Sequence, residues 1–330
     1  MIITRSPLRI SLGGGGTDLP SYYKKNGGFL ISAAINKFVY ISLHNTFERG
    51  LYLKYSNYER VKKINNIRHP IIRESLKNIK DKSLRNIEIT SLADIPARTG
   101  LGSSGSFTTA LLLALHEHKK KKISQRKLAE LACHIEINKL KEPSGKQDQY
   151  ISSYGGIRKM EISKKGYVNI KNLKINKKKI NILEKNISLF FTGYLRRSSK
   201  ILNNQKKKTL KNDQCMIKNL HYVKKLGLKS ALALEKGNFN DFAYLLDEHW
   251  KKKIERDKQT SNFKINKIYQ IAINKGGALG GKLIGAGGGG FLMFYSLDNL
   301  KLKKVLNKYG LKNVDFSFEF NGTHIVNQNA

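Results

Sequence analysis

The sequence predicts an α+β fold in two halves, and three observations carry that reading. The passage from Ala278 to Val326 runs strand, glycine loop, strand, helix, strand, which is an α+β arrangement. At 330 residues the chain is long enough for two cores. The Lys/Asn-rich stretch Lys171 to Lys185 is the best place to part them, giving domains at 1–180 and 181–330. The two halves show no clear repeat.

Taken in order, Met1 to Leu12 reads as one or two strands broken at Pro7, which has no N–H to give a ladder. Gly13 to Gly16 and Thr17-Asp18-Leu19-Pro20 lead into a short helix through Tyr23. Phe29 to Leu43 reads as a strand pair around Asn36-Lys37, Leu51 to Tyr55 as a strand and Pro70 to Lys80 as a helix. Ile87 to Leu92 is a strand that feeds, through the loop Pro96 to Gly105, a helix reaching His118. Ser124 caps the next helix, with Ile123 and Leu128 as its staple pair. Leu128, Leu131, Ala132 and Ile135 make that helix's buried stripe and put Glu136 on its flank. A short helix over Gly145 to Ser153 is closed by Gly155-Gly156, and strands follow at Ile157 to Ile162 and Tyr167 to Ile170. The second half opens with a strand at Ile187 to Thr192 and continues with helices at Met216 to Glu235, Phe239 to Glu255 and Phe263 to Lys275. Strands Ala278 to Ile284 and Phe291 to Tyr295 flank a glycine loop, and a helix at Leu297 to Tyr309 precedes strands at Val314 to Phe318 and Thr323 to Val326.

Charge narrows the function classes. There are 62 Lys+Arg against 24 Asp+Glu, a net charge of +38, scattered over the whole length. Such a balance speaks to solubility and non-specific attraction, not to fold, and it suits polyanionic substrates. Nucleic-acid binding is the rival reading, but the basic runs at 119–122, 177–179, 206–208 and 251–253 lack regular aromatic interleaving and no nucleic-acid motif is present. Cys133 and Cys215, far apart and in helix-like surroundings, read as buried thiols in a reducing compartment. No apolar run approaches a membrane span and MIITRSPLRIS has no export-signal core, so a cytoplasmic protein is expected. His116 and His118 lack a third metal ligand and read as helix-end residues, and Trp250 reads as a core anchor beside a solvated basic turn, Lys251 to Lys253.

The chemistry concentrates at PARTGLGSSG, Pro96 to Gly105. A loop entering a helix N-terminus exposes unpaired backbone N–H groups at the positive end of the helix dipole, and small residues let a phosphate reach them. The string fits the dinucleotide fingerprint G-x-G-x-x-G, but residues 94–99 separate it from the strand and the place of the ribose-binding acid is taken by Lys119 to Lys122. No glycine loop ends in Gly-Lys-Ser/Thr, which excludes a P-loop. Two more glycine loops, Gly13 to Gly16 and Gly285 to Gly290, mark further places where backbone could approach a ligand, and Glu136 and Asp148 supply carboxylates between them. Phosphoryl transfer needs that inventory: a cradle, a cation and a group that orients the acceptor hydroxyl.

PLRISLGGGGTDLPSYY at Pro7 to Tyr23, PARTGLGSSG at Pro96 to Gly105 and LIGAGGGGFLMFY at Leu283 to Tyr295 resemble the three motifs of the GHMP small-molecule kinases, in that family's order and spacing. Within it, GGGGTD, GKQDQY at Gly145 to Tyr150 and FFTGYLRRSSKIL at Phe190 to Leu202 are most similar to the kinases of D-glycero-D-manno-heptose 7-phosphate. Gly14 to Asp18 departs from the Gly-Glu-His-Thr-Asp of galactokinases, which argues against galactose. The resemblance implies a ribosomal-protein-like α/β domain followed by a ferredoxin-like α+β domain. It implies ATP- and Mg²⁺-dependent phosphorylation of a sugar phosphate at its anomeric hydroxyl, giving the 1,7-bisphosphate for a nucleotide-activated heptose pathway. Gly100, Leu101, Gly102, Ser103, Ser104, Gly105 and Ser106 would wrap the nucleotide phosphates, and Ser104 with Glu136 would hold Mg²⁺. Asp148 would orient or deprotonate the acceptor hydroxyl, Arg9 would neutralise charge beside it and Lys146 would favour its ionised form if the side chains approach. Gly15, Gly16, Thr17 and Asp18 would bind the sugar, with Gly287 and Gly288 beside the transfer site. Arg196 and Arg197 are candidates for the substrate's own phosphate, since a guanidinium grips it bidentately. An L-fucose- or mevalonate-type kinase, a basic nucleic-acid-binding protein and a homodimer stay open.

Overall fold

A computed structural model describes residues 1–79, 84–195 and 199–328. The chain begins with the strand β1 (Ile2–Gly13), the short helix α1 (Pro20–Asn26) and the 18-residue strand β2 (Gly28–Asn45). Both expected breaks are bulges instead. The β1–β2 register shifts between Pro7 and Leu8, and the pairing passes from Ile35 to Phe38, so Asn36 and Lys37 are looped out and the strand continues. β3 (Gly50–Lys54), β4 (Tyr58–Val61), α2 (Pro70–Ile79) and β5 (Asn86–Ala93) follow, and then α3 (Ser103–His118), the helix that the glycine loop opens.

α4 (Gln125–Cys133) is capped as expected by Ser124, whose Oγ accepts from Lys127 N at 3.3 Å. It widens into a π-helical turn, His134–Lys139, that carries Glu136. α5 (Gln147–Tyr154), β6 (Ile157–Ile162) and β7 (Val168–Asn172) lead to α6 (Lys177–Asn186), a helix inside the stretch read from composition as a linker. Its Leu183 is fully buried, and that apolar anchor outweighs the lysines around it.

β8 (Ile187–Phe191) opens the second half, followed by α7 (Ser199–Leu210), which the sequence reading lacked, α8 (Gln214–Lys236), α9 (Phe239–Arg256) and α10 (Phe263–Asn274). β9 (Ala278–Leu283), β10 (Phe291–Ser296), α11 (Asn299–Asn307), β11 (Lys312–Val314) and β12 (His324–Gln328) complete the chain. The strand expected through Phe318 stops at Val314, and Phe318 makes only an isolated bridge to Ile35.

Two sheets result. The first runs β12-β1-β2-β5-β3-β4, with β6 on the other half of β2 and β7 beyond it; only β3 and β5 are parallel. The second runs β11-β8-β10-β9, antiparallel throughout. The C-terminal β12 returns to pair with β1. One buried cluster joins Leu8, Ile10 and Ile31 of the first sheet to Leu189, Phe291 and Met293 of the second and to Phe242 and Leu246 of α9. Trp250 is 2 % exposed in the core, as expected. Cys133 is buried, but Cys215 is exposed on the first turn of α8. No helix among the described residues is long and apolar enough to cross a membrane.

Candidate active site

The loop before α3 is fixed from beneath. Hydroxyls of β1 and α3 zip the two together: Thr4 Oγ1 donates to Ala110 O at 2.9 Å, Ser6 Oγ pairs with Thr109 Oγ1 at 2.8 Å and Ser106 Oγ donates to Pro7 O at 2.7 Å. Arg9 N donates to Leu101 O at 2.9 Å, which ties the loop itself to β1. Gly102 is the residue before the helix and has φ +80°, a conformation that glycine alone adopts freely. The first-turn N–H groups of Ser103, Ser104 and Gly105 have no intrahelical acceptor. Ser106 does not join them, because its N–H donates to Gly102 O at 3.1 Å and its hydroxyl is bonded to Pro7.

Behind these N–H groups sits an ion pair. Arg9 Nε donates to Asp148 Oδ1 at 2.8 Å, and Arg9 Nη1 donates to Gly100 O. Arg9 is 5 % exposed, and no described residue bonds Asp148 Oδ2. The packing is close. A Cβ on Gly105 would lie 2.7 Å from Asp148 Cβ, and one on Gly102 would lie 3.0 Å from Arg9 Cγ.

Glu136, 2 % exposed, accepts from Ser104 Oγ and, at 3.0 Å, from Gln149 Nε2. Burial pushes its carboxyl up to about 6, with the Ser104, Gln149 and Thr108 hydrogen bonds opposing. A hydroxyl and a carboxylate meeting at one point are the hard oxygen donors that Mg²⁺ accepts. Two protein oxygens are few for Mg²⁺, which commonly takes its remaining ligands from phosphates and water.

The other expected residues divide. Asp18 is buried and accepts from Gln147 N at 3.0 Å and Gly16 N at 3.3 Å; burial holds its carboxyl above the ordinary value, and those N–H groups oppose the rise. Thr17, expected on the sugar, is fully buried and donates to Phe29 O at 2.8 Å and Gly14 O at 2.9 Å, so its hydroxyl is spent holding the first loop. Lys146 does not pair with Asp148: its Nζ donates to Gly166 O and lies 5.4 Å from the centre of the Tyr23 ring. Gly15 and Gly16 are partly exposed at the rim. The third glycine loop braces the second, with Gly285 against Gly100 and Gly290 against Thr99. Gly287 and Gly288 pack on Thr260, whose carbonyl takes the Gly288 N–H at 2.7 Å. Arg196 and Arg197 lie outside the described residues. His116 and His118 hydrogen-bond to Leu112 O and Asn45 Oδ1, each at 2.8 Å, as helix-end residues.

One group was missed. The buried stripe of α9 runs Phe242, Ala243, Leu246, His249, Trp250 and then, at the same spacing, Lys253 and Arg256. Lys253 is therefore not part of a solvated turn: its Nζ donates to Leu283 O at 2.7 Å and Gly285 O at 2.5 Å. Lys251 is exposed and pairs with Asp247, and the half-buried Lys252 pairs with Glu255 over the Tyr222 ring. Arg256 bonds Gln205 Oε1 and Asn219 Oδ1 at 3.1 Å and reaches Gly15 O at 3.5 Å. The i, i+3, i+4 spacing of these residues was the available signal.

Comparison with known proteins places this geometry among its relatives. Residues 70–156 match the family described as GHMP kinases N terminal domain. The D-glycero-alpha-D-manno-heptose 7-phosphate kinase of Campylobacter jejuni is 30% identical over 97% of each chain. Two crystal structures superpose well: a D-glycero-D-manno-heptose 1-phosphate kinase from Bacteroides thetaiotaomicron, at TM-score 0.82 and 24% identity over 100% of both chains, and a putative sugar kinase from Campylobacter jejuni, at TM-score 0.79 and 28% identity over 98% of this chain and 97% of that one.

Proposed function

This chain belongs to the GHMP kinases, ATP-using phosphotransferases with an alcohol group as acceptor, and from that premise we propose that it phosphorylates the anomeric hydroxyl of D-glycero-D-manno-heptose 7-phosphate. The observation that carries the reading is the Arg9–Asp148 pair wedged under Gly102 and Gly105. It sets a carboxylate oxygen with no partner among the described residues at the mouth of an amide cradle.

In this reading the N–H groups of Ser103, Ser104 and Gly105 hold the nucleotide phosphates at the positive end of α3. Ser104 Oγ and the Glu136 carboxylate would hold Mg²⁺, which would supply charge neutralisation to those phosphates. Asp148 Oδ2 accepts the acceptor's O–H and aims its oxygen at the γ-phosphorus. As the new O–P bond forms, the bond from the γ-phosphorus to its bridging oxygen breaks, ADP leaves with that electron pair, and the hydroxyl proton passes to Asp148 or through it to solvent. An anomeric hydroxyl is more acidic than an ordinary alcohol, so orientation outweighs basicity. Arg9 fixes the carboxylate and offsets charge developing beside it. Asp18, held by Gln147 and Gly16, faces the sugar. The phosphorylated heptose is supported by the 30% identical relative and by the first-loop sequence GGGGTD.

ADP release with heptose 7-phosphate, the unphosphorylated heptose, L-fucose, galactose and mevalonate tests the proposal. Heptose 7-phosphate is expected to give the highest kcat/KM. Faster turnover of any other acceptor refutes it.

A further inference from the structure

The buried end of α9 carries more positive charge than its surroundings balance. Lys253 and Arg256 lie on its inner face, and Lys282 of β9 lies on the sheet face that α9 covers, two residues from Gly280, where a Cβ would strike Ala243 O at 1.9 Å. Lys282 is 6 % exposed, and its ammonium makes no hydrogen bond or ion pair with any described residue. Lys253 bonds only backbone carbonyls and Arg256 only carbonyl and amide oxygens, so among the described residues neither has a carboxylate partner within bonding distance. Lysine is almost never buried unless paired, because desolvation of an unpaired cation is costly.

The same place holds polar atoms with nothing to bond. Ser11 Oγ, Ser230 Oγ and His249 Nε2 are buried and have no hydrogen-bond partner among the described residues. They surround the first glycine loop: a Cβ on Gly13 would lie 3.2 Å from His249 Nε2 and 3.3 Å from Ser230 Cβ, and one on Gly15 would lie 3.2 Å from Ser11 Oγ. Lys253 and Arg256 are partly exposed, so the cluster opens to the outside at the loop.

We propose that Lys253, Arg256 and Lys282, with the unpartnered hydroxyl of Ser11, form the subsite for a dianionic phosphate monoester on the acceptor sugar. The proposal rests on the kinase reading above and names how that site selects its substrate. The charge count favours a dianion. Arg9, Arg256 and Lys282 all act on Lys253, Arg256 faces Asp18 and Arg9 pairs with Asp148, so four basic groups meet two carboxylates. A phosphate monoester carries about that missing charge near neutral pH. Without an anion, burial first and the neighbouring cations after it lower Lys253 well below the ordinary lysine value and Lys282 to about 7; a bound dianion opposes that second effect, so the full count of cations belongs to the occupied subsite. The place is suitable too, since Arg256 reaches Gly15 O on the sugar side of Asp18 and Lys253 grips the loop that braces the nucleotide cradle.

Two measurements test it. Inorganic phosphate is titrated calorimetrically into wild type, Lys282→Met and Arg256→Gln, with the nucleotide cradle saturated by a nonhydrolysable ATP analogue. Charge-assisted hydrogen bonds predict that each variant loses roughly tenfold or more in phosphate affinity. In turnover, the ratio of kcat/KM for a phosphorylated sugar to that for the same sugar unphosphorylated should fall about as far in each. Wild-type phosphate affinity in both variants, or an unchanged ratio with only kcat lowered, overturns the subsite, the latter by assigning the cluster to the transferred group. Should Lys282→Met fail to fold, as judged by circular dichroism, the partly exposed Arg256 carries the test alone. If wild type prefers an unphosphorylated sugar, the heptose 7-phosphate reading fails while the phosphate titration still decides the subsite.

Discussion

Replacing Glu136 by glutamine should stabilise the ligand-free protein at neutral pH while damaging it as an enzyme. The carboxyl is 2 % exposed, burial is the largest influence on it, and its hydrogen bonds from Ser104, Gln149 and Thr108 recover only part of the cost, leaving it at about 6 against an ordinary 4.5. A group whose folded-state pKa is raised holds its proton more tightly when folded, so stability falls as pH rises from 4.5 through about 6 and stays lower above. That gap corresponds to about 2 kcal/mol. Glutamine keeps the shape, and its amide can accept from Gln149 Nε2 and donate to Ser104 Oγ, so neither partner is stranded. Glu136→Gln should therefore gain up to about 2 kcal/mol at pH 7.5, roughly 3 °C in Tm for a chain of this size, and nothing at pH 4. Urea and thermal unfolding from pH 4 to 8 in chelator-treated buffer measure this. The order should reverse with Mg²⁺ and an ATP analogue present, since wild type then gains binding energy the variant lacks. A variant no more stable than wild type at pH 7.5, or equally favoured at pH 4, would sink the argument that this carboxylate waits, uncompensated, for a cation.

Asp148→Asn should lower kcat by about 10²-fold or more, the usual contribution of a positioned acid or base, while calorimetry finds the ATP analogue still bound; near-normal turnover removes Asp148 from the reaction. Gly105→Ala puts a methyl group 2.7 Å from Asp148 Cβ. The helix gains about 1 kcal/mol from alanine and loses about 1–3 kcal/mol to overpacking against Asp148 and Gln149, so unfolding should show a net loss of up to about 2 kcal/mol. Displacing the carboxylate should still cost roughly 10-fold or more in kcat, because catalysis is the more sensitive to sub-ångström displacement. Wild-type kcat would show that the close packing does not set the geometry. Leu183→Ala, in the helix that composition disguised as a linker, should cost about 2–5 kcal/mol in urea unfolding; a loss below about 1 kcal/mol would return α6 to the status of a connector.

What the sequence made legible was local. A helix opening on Gly-Leu-Gly-Ser-Ser-Gly, a cap at Ser124 and the glycine loops depend on neighbouring residues, and each stands where it was expected. Where distant chain decided, the reading failed. Asn36-Lys37 has the chemistry of a turn, but β1 pairs on both sides of it and the pair becomes a bulge. Thr17 has a sugar-binding hydroxyl by type, and the carbonyls of Gly14 and Phe29 consume it. Lys146 stands two residues from Asp148 and points to Gly166.

The cationic end of α9 is the sharpest case. In a chain with 62 basic residues, lysine identity carries almost no information about place, and a Lys-Lys-Lys run reads as solvent-facing. Periodicity separates them: Lys251 and Lys252 fall on the outer face with acidic partners, whereas Lys253 continues the stripe set by Leu246 and Trp250 and is carried inward. The apolar residues before it bury that face whatever follows, so the helix delivers charge to the glycine loops as a consequence of its own packing. The same reasoning separates the abundant surface lysines, whose loss in ones and twos should leave phosphate affinity alone, from the three cations on α9 and β9, whose loss should not.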